Sequence, residues 1–261
     1  PVVRPLITGK TVREAWIDAG VLQLNRGCPF ACSYCASKKL YHGFSPGDPE
    51  KAFVDLQSFS RRGITNFAFY DDALLVDKET VFQPFLRNVI DAGIPARFFL
   101  PNAVHLQYID RETARLMKRA GFQEVRIGFE SAAPEFHAEH DRKIDITQVE
   151  KKVRLLKETG FEKEQIIVYI LAGLPGQEAR EVEESIRFAA RNKVRVSIAE
   201  YSPVPGTELW ERSVAESRYP IAEEPLFHNN TFFPMEWERF TREDLERLKR
   251  LSRELSDQRF I

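Results

Sequence analysis

Sulfur is scarce in this chain. Its 261 residues include three cysteines and two methionines. Three thiols cannot form a closed disulfide set, which excludes a disulfide-stapled secreted scaffold and points to a reducing cytoplasmic setting. A dominant charge is also missing. The 38 Lys+Arg stand against 39 Asp+Glu, a formal charge of -1, and this balance recommends neither a nucleic acid nor an anionic membrane as partner. No apolar run reaches the roughly 18 residues of a membrane span. The longest, "IIVYILAG" (166–173), is strand-sized. The N-terminus lacks the basic-then-apolar pattern of a secretory signal. The chain begins with Pro1 rather than Met, which fits processing or a piece of something longer.

What is present is a repeated alternation of strand and helix. Apolar, β-branched runs occur at 20–25, 64–70, 96–100, 124–129, 165–173 and 194–201. Helical spacing fills the intervals, with readable ends. Asp48-Pro49 opens one helix and Gly63 closes it; Asp110 opens another before Gly121. Thr147 to Glu150 reads as a capping box, and Gly160 as the stop. Glu181 to Asn192 puts Val182, Ile186 and Ala189 on one side. Pro84 lies inside the pattern of 77–93, so that helix is kinked there or begins close to it. Consecutive apolar positions, as in 166–171, suit a parallel sheet covered by helices. Six such units give a doubly wound sheet or a barrel, α/β in either case, with the active site at the carboxyl ends of the strands.

That rule selects residues. Cys28 to Cys35 follow the first strand, Asp71-Asp72 the second, and Pro101-Asn102 the third, with His105 just beyond. Glu130-Ser131 follow the fourth, Gly173 to Gly176 the fifth, and Ser202 to Gly206 the sixth. Every thiol of the chain thus falls in one eight-residue window, as C-x3-C-x2-C. Zinc in a structural site takes four protein ligands, and His42 would have to be the fourth in a zinc-stabilised binding module. An iron–sulfur cube is held by thiolates and does not need protein on every iron. Three cysteines leave one iron open for a ligand. A barrel hydrolase working through Asp71, Asp72 and His105 is a third reading, but it leaves the cysteines unexplained.

"RGCPFACSYC" (26–35), with Tyr34 at the aromatic position, resembles the signature loop of the radical S-adenosylmethionine (SAM) enzymes. The resemblance extends along the chain. "AFYDDALL" stands where the family has its second-strand motif, and "RIGFES" matches a fourth-strand Glu-Ser. "YILAGLPGQ" and "YSPVPGTELW" are similar to the fifth and sixth strand ends of the subgroup often fused to an N-terminal cobalamin-binding domain. Asp71-Asp72 replace the Gly-Gly-Glu that many members have on the second strand.

The resemblance implies a partial (β/α)6, TIM-like barrel over 21–215, after a lead-in segment over 1–20 and before a C-terminal extension over 216–261 that ends in a helix from Thr241 to about Asp257. It implies a [4Fe–4S] cluster on Cys28, Cys32 and Cys35 that binds SAM. It also implies an electron donor such as flavodoxin or ferredoxin, and a 5'-deoxyadenosyl radical acting on an unidentified substrate. The SAM contacts it suggests are Glu130 and Ser131 at the ribose, Arg142 (with Lys143 adjacent) at the carboxylate, and Asp71 or Asp72 at the amine. Tyr34, Leu171 and Gly173 would lie at the adenine, with Asn102 nearby and toward substrate. No histidine stands in the Asp-x-His-x-x-Gly loop that presents a ligand to cobalt, so a cobalamin-binding domain, where one exists, is expected outside this chain.

Overall fold

The computed structural model describes residues 19–257. The lead-in expected over 1–20 lies outside the described residues as far as residue 18. Six parallel strands form the frame: β1 (Ala19–Leu22), β4 (Asn66–Phe69), β5 (Arg97–Phe99), β6 (Val125–Glu130), β7 (Ile166–Ala172) and β8 (Arg195–Glu200). They pair in chain order as two half-sheets, β1-β4-β5 and β6-β7-β8. Two isolated parallel bridges, Phe98 with Phe122 and Val104 with Ile127, join the halves. Among the described residues β1 and β8 do not pair, so the barrel is partial and open between them. A two-residue hairpin, β2 (Asn25–Arg26) and β3 (Ser45–Pro46), frames the loop after β1.

Alternation along each strand sets the layers. Leu22, Phe67, Phe69, Phe98, Val125, Ile127, Phe129, Ile166, Val168, Ile170 and Val196 point outward into the core beneath the helices. Phe69 is stacked on Phe122 at 5.7 Å and meets Phe82 and Phe85 edge-on. Each fully buried ring of this kind contributes about 1.5–3 kcal/mol of transfer free energy. The intervening positions, such as Val21, Phe99, Arg126, Tyr169 and Ser197, line the concave inner face, where Val21 stays 38% exposed.

The helices begin and end largely where the local chemistry dictates. Pro49–Arg61 is capped by Asp48, and Arg111–Ala120 by Asp110, whose carboxylate accepts from Thr113 N. Pro84 falls in the first turn of Phe82–Asp91, where no intrahelical N–H is needed, so that helix starts there and is not kinked. Thr147 is not the cap of its helix. Asp145, two residues earlier, accepts from Thr147 N at 3.0 Å and opens a 3-10 turn, and the α-helix runs Val149–Glu158. The terminal helix, Arg242–Asp257, packs on β8 and on the helix Ala179–Arg191, burying Leu245 and Leu248. The extension also returns to the rim of the barrel. Gly173 has a φ of 91°, and a Cβ there would lie 2.8 Å from the Phe233 ring, so only glycine fits this contact.

Candidate functional site

The ends of the strands converge on one rim. The cysteine loop is fixed on it by polar contacts that reach across more than 100 residues. Ser33 N donates to His140 O at 2.8 Å, and Ser33 Oγ is 2.8 Å from His140 Nδ1. Tyr34 Oη donates to Asp141 Oδ2 at 3.2 Å and accepts from Lys143 Nζ at 3.0 Å. These bonds bring the loop after β1 against the connection that follows β6 and the helix Pro134–His140. Cys28 is buried, Cys32 partly buried and Cys35 exposed, and Cys35 Sγ accepts from Ser37 N. Among the described residues no set of three or more His, Cys, Asp or Glu side chains already stands as a metal shell.

Burial pushes the Cys28 thiol up and the Cys32 thiol up to about 11, while the nearby Lys143 ammonium pulls both down. A thiol ligand must lose its proton, so filling this loop with metal releases protons and favours the thiolate that burial disfavours.

β6 delivers the carboxylate. Its pairing with β7 shifts register between Gly128 and Glu130, and Glu130 has a φ of 67°, a left-handed conformation for a non-glycine residue. Such strain costs on the order of 1–3 kcal/mol and gathers at working sites. The bulge turns Glu130 toward Lys143, whose Nζ stands 2.9 Å from Oε1. Gly128 leaves the room: a Cβ there would meet Glu130 Oε1 at 3.0 Å. The two side chains are 12% and 8% exposed. Burial opposes the Lys143 charge, but Glu130, Cys32 and Asp141 outweigh it and raise its pKa. Asp141 is fully buried and takes Lys143 N at 3.1 Å and His137 Nδ1 at 2.9 Å. Burial would raise its carboxyl, but the His137 hydrogen bond and the Lys143 charge hold it below the usual range. His137 Nε2 closes the chain on Ser131 O at 2.8 Å.

Other residues singled out from the sequence fall in varied places. Arg142 is exposed, with a φ of 51° and its Nε on Ala138 O, and Lys143 is the cation that faces the rim. Asp71 is buried beneath the rim, where its carboxylate accepts from Leu24 N at 3.0 Å and Asn25 N at 2.5 Å. Burial raises its pKa to about 7 against those two amides. Asp72 accepts from Ser37 Oγ at 2.9 Å, beside the cysteine loop. Asn102 Nδ2 donates to Asp71 O, tying the ends of β5 and β4 together. Ser131 Oγ accepts from Ala133 N, and Gly173 N donates to Gln177 Oε1 at 2.7 Å. Leu171 packs with Leu174, Tyr201, Leu209 and Met235, and Tyr34 lies against this group. His42 is exposed. His105 packs against Phe30 with the rings tilted by 33° and their centroids 4.8 Å apart, and its buried Nδ1 has no hydrogen-bond partner among the described residues. Burial lowers its pKa to about 4. Asp71, Asp72 and His105 therefore do not form the hydrogen-bonded group that a hydrolase would need.

The partial barrel, its cysteine loop and its strand-end carboxylate define a class, and comparison with known proteins agrees. The sequence profile of the Radical SAM superfamily matches residues 22–189, and the chain belongs to that superfamily of enzymes. An uncharacterized methyltransferase of Pyrococcus horikoshii is 28% identical over 233 residues, covering 86% of this chain and 46% of the relative. The anaerobic magnesium-protoporphyrin IX monomethyl ester cyclase of Cereibacter sphaeroides is 24% identical, covering 75% of this chain and 32% of the cyclase. The chain thus spans less than half the length of these relatives. Among solved structures, the radical SAM methyltransferase TsrM of Kitasatospora setae, with cobalamin and a [4Fe–4S] cluster bound, superposes with a TM-score of 0.65. It is 18% identical, over 77% of this chain and 38% of TsrM, a likeness of fold. No helix among the described residues is long and apolar enough to cross a membrane.

Proposed function

We propose that Cys28, Cys32 and Cys35 hold a [4Fe–4S] cluster and that Glu130 and Lys143 bind SAM beside it. The observation that carries this is the anchoring of the cysteine loop, through Tyr34, to the buried Glu130–Lys143 pair. Three thiols on one loop suit a cube with one iron free of protein. When bound, the cluster supplies the electron that splits the sulfonium of SAM. The chain's own residues do the positioning. Lys143 offers an ammonium to the methionyl carboxylate and Glu130 an acceptor to the ribose hydroxyls, so their mutual ion pair holds both groups in place before SAM arrives. The unpartnered His105 Nδ1 and Asp72 are further polar groups at the same rim. Leu171, Tyr34 and the backbone at Gly173 provide an apolar slot of the kind that adenine requires. The unit doing this is the barrel over 21–215, followed by the extension over 216–261. A reduced flavodoxin or ferredoxin is the electron donor, and cobalamin, where the reaction uses it, is bound by a separate domain.

Anaerobic reconstitution tests the assignment. The chain should take up about four irons and four sulfides and form 5'-deoxyadenosine slowly with dithionite and SAM. Cys28→Ala, Cys32→Ala and Cys35→Ala should each lose the iron. A colourless chain that keeps one zinc in iron-replete, anaerobic medium would overturn it.

A further inference from the structure

The concave face of the second half-sheet carries charge that the rim chemistry does not use. Outward residues of β6, β7 and β8 enter the core, so Arg126, Ile167, Tyr169, Leu171, Arg195 and Ser197 are the inner set. Register puts Arg126, Ile167 and Arg195 side by side on the three strands. Where β8 ends the half-sheet and Val196 N donates to Ser256 Oγ of the terminal helix, a cavity of about 350 Å³ opens between this inner face and that helix. Four cations line it, Arg126, Arg195, Lys249 and Arg253, against one acid, Glu124. Glu124 is held by Arg126 at 2.6 Å, and Lys249 is paired with Glu200 at 2.8 Å. Arg195 and Arg253 are exposed and form no ion pair among the described residues. Ser197 adds a hydroxyl. On β7, Ile167 and the ring of Tyr169, whose hydroxyl accepts from Arg126 Nη1 at 2.5 Å, line the cavity on the side toward the rim. Along β6 the climb from Arg126 to Glu130 is four residues, roughly 13 Å at the rise of a parallel strand.

We infer that the substrate is an amphiphilic anion: its carboxylate or phosphate monoester is held by Arg195 and Arg253 beside β8, and its apolar body lies along Ile167 and the Tyr169 ring. This rests on the radical SAM reading, which makes the rim near Glu130 the reacting end. Two free guanidiniums and a hydroxyl match an oxyanion, since guanidinium presents paired donors to carboxylate or phosphate. Between the cavity and the rim the inner face of β7 carries no charge, which suits an apolar body behind the anionic head.

Equilibrium dialysis of the 261-residue chain against dodecanoate, dodecyl phosphate and dodecanol, each below its aggregation concentration, tests the inference. One of the two anions should bind at least tenfold tighter than the alcohol, and the tighter one names the head group. The double substitution Arg195→Gln, Arg253→Gln should erase that preference, with the alcohol's affinity unmoved. Equal binding of anion and alcohol, or a preference that survives the double substitution, overturns the proposal. A chain that takes up iron and cleaves SAM yet lacks the preference overturns the substrate class alone. A chain that keeps the preference but takes up no iron overturns the radical reading alone.

Discussion

Two carboxylates stand at strand ends, one in each half-sheet, and their surroundings make them opposite in kind. Asp71 follows β4 in the half-sheet built on phenylalanines. It is 2% exposed, and backbone amides of Leu24 and Asn25 fill its oxygens. Glu130 ends β6 in the other half-sheet. It faces a lysine ammonium, in a left-handed backbone conformation, beside a glycine that leaves it space. The first holds the chain: it clamps the end of β1 just ahead of the cysteine loop. The second is paired through Oε1 with a side-chain ammonium and not with the backbone. The half-sheets divide in the same way. The first buries Phe67, Phe69 and Phe98 against Phe82, Phe85 and Phe122, whereas the second carries the strained residue, the buried ion pair and the cationic cavity.

The sharpest way to break this division is to attack the phenylalanine core. Phe69→Ala removes a ring that meets four others, those of Phe82, Phe85, Phe98 and Phe122, and is expected to cost about 3–5 kcal/mol, read as a lowered urea midpoint without change in slope. A cost under about 1 kcal/mol would mean that the first half-sheet is not the structural anchor. The next effect belongs to the second half-sheet. Lys143→Met should weaken SAM binding to the folded, reconstituted protein by about 1.5–3 kcal/mol, the scale of a hydrogen bond to a charged group. Arg142→Met should change it by less than about 0.5 kcal/mol, as an exposed surface substitution does. Comparable losses in both variants would show that the cation was assigned to the wrong neighbour. Since breaking a buried pair from one side is itself destabilising, the pair Glu130→Gln, Lys143→Met provides the folded control. It should melt closer to the parent than Lys143→Met alone.

The frame was legible in the sequence because its signals are local. Strand runs at 64–70 and 165–173 alternate or stay apolar as a helix-covered parallel sheet demands, and Asp48 and Asp110 announce their helices. The gathering of Cys28, Asp72, Glu130 and Gly173 on one rim followed from the strand-end rule. What stayed hidden depends on contacts distant in sequence or on single dihedral angles. Arg142 and Lys143 are adjacent basic residues. Only the left-handed turn at Arg142 sends one outward and the other inward. Asp141 and His137 carry no signature in the sequence, because their function rests on Tyr34 and Ser131 approaching them. Asp71 read as an acceptor for a ligand, but its acceptors are used by amides 46 and 47 residues earlier. Thr147 lost its capping role to Asp145, a competition between two short polar side chains that spacing alone does not settle.

The smallest expected effect tests Asp71 as the clamp. Burial raises its carboxyl from the ordinary 3.8 to about 7 in the folded chain, and the amides of Asn25 and Leu24 oppose only part of that rise. The folded state therefore holds this proton more tightly than the unfolded state, and folding is favoured where the group is protonated in both. The contribution is undiminished below about pH 4 and is lost as pH rises from about 4 to about 7, after which it is constant. Each unit of such a shift is worth about 1.4 kcal/mol, equivalent to roughly 3–6 °C in Tm for a domain of this size. Asp71→Asn keeps one acceptor for the amides and removes the titration, so its Tm should lie below the parent's at pH 5 and approach or pass it at pH 8. Differential scanning calorimetry at the two pH values reads the crossing. Parallel Tm profiles would show that Asp71 does not titrate within the fold, and the contrast drawn with Glu130 would then rest on geometry alone.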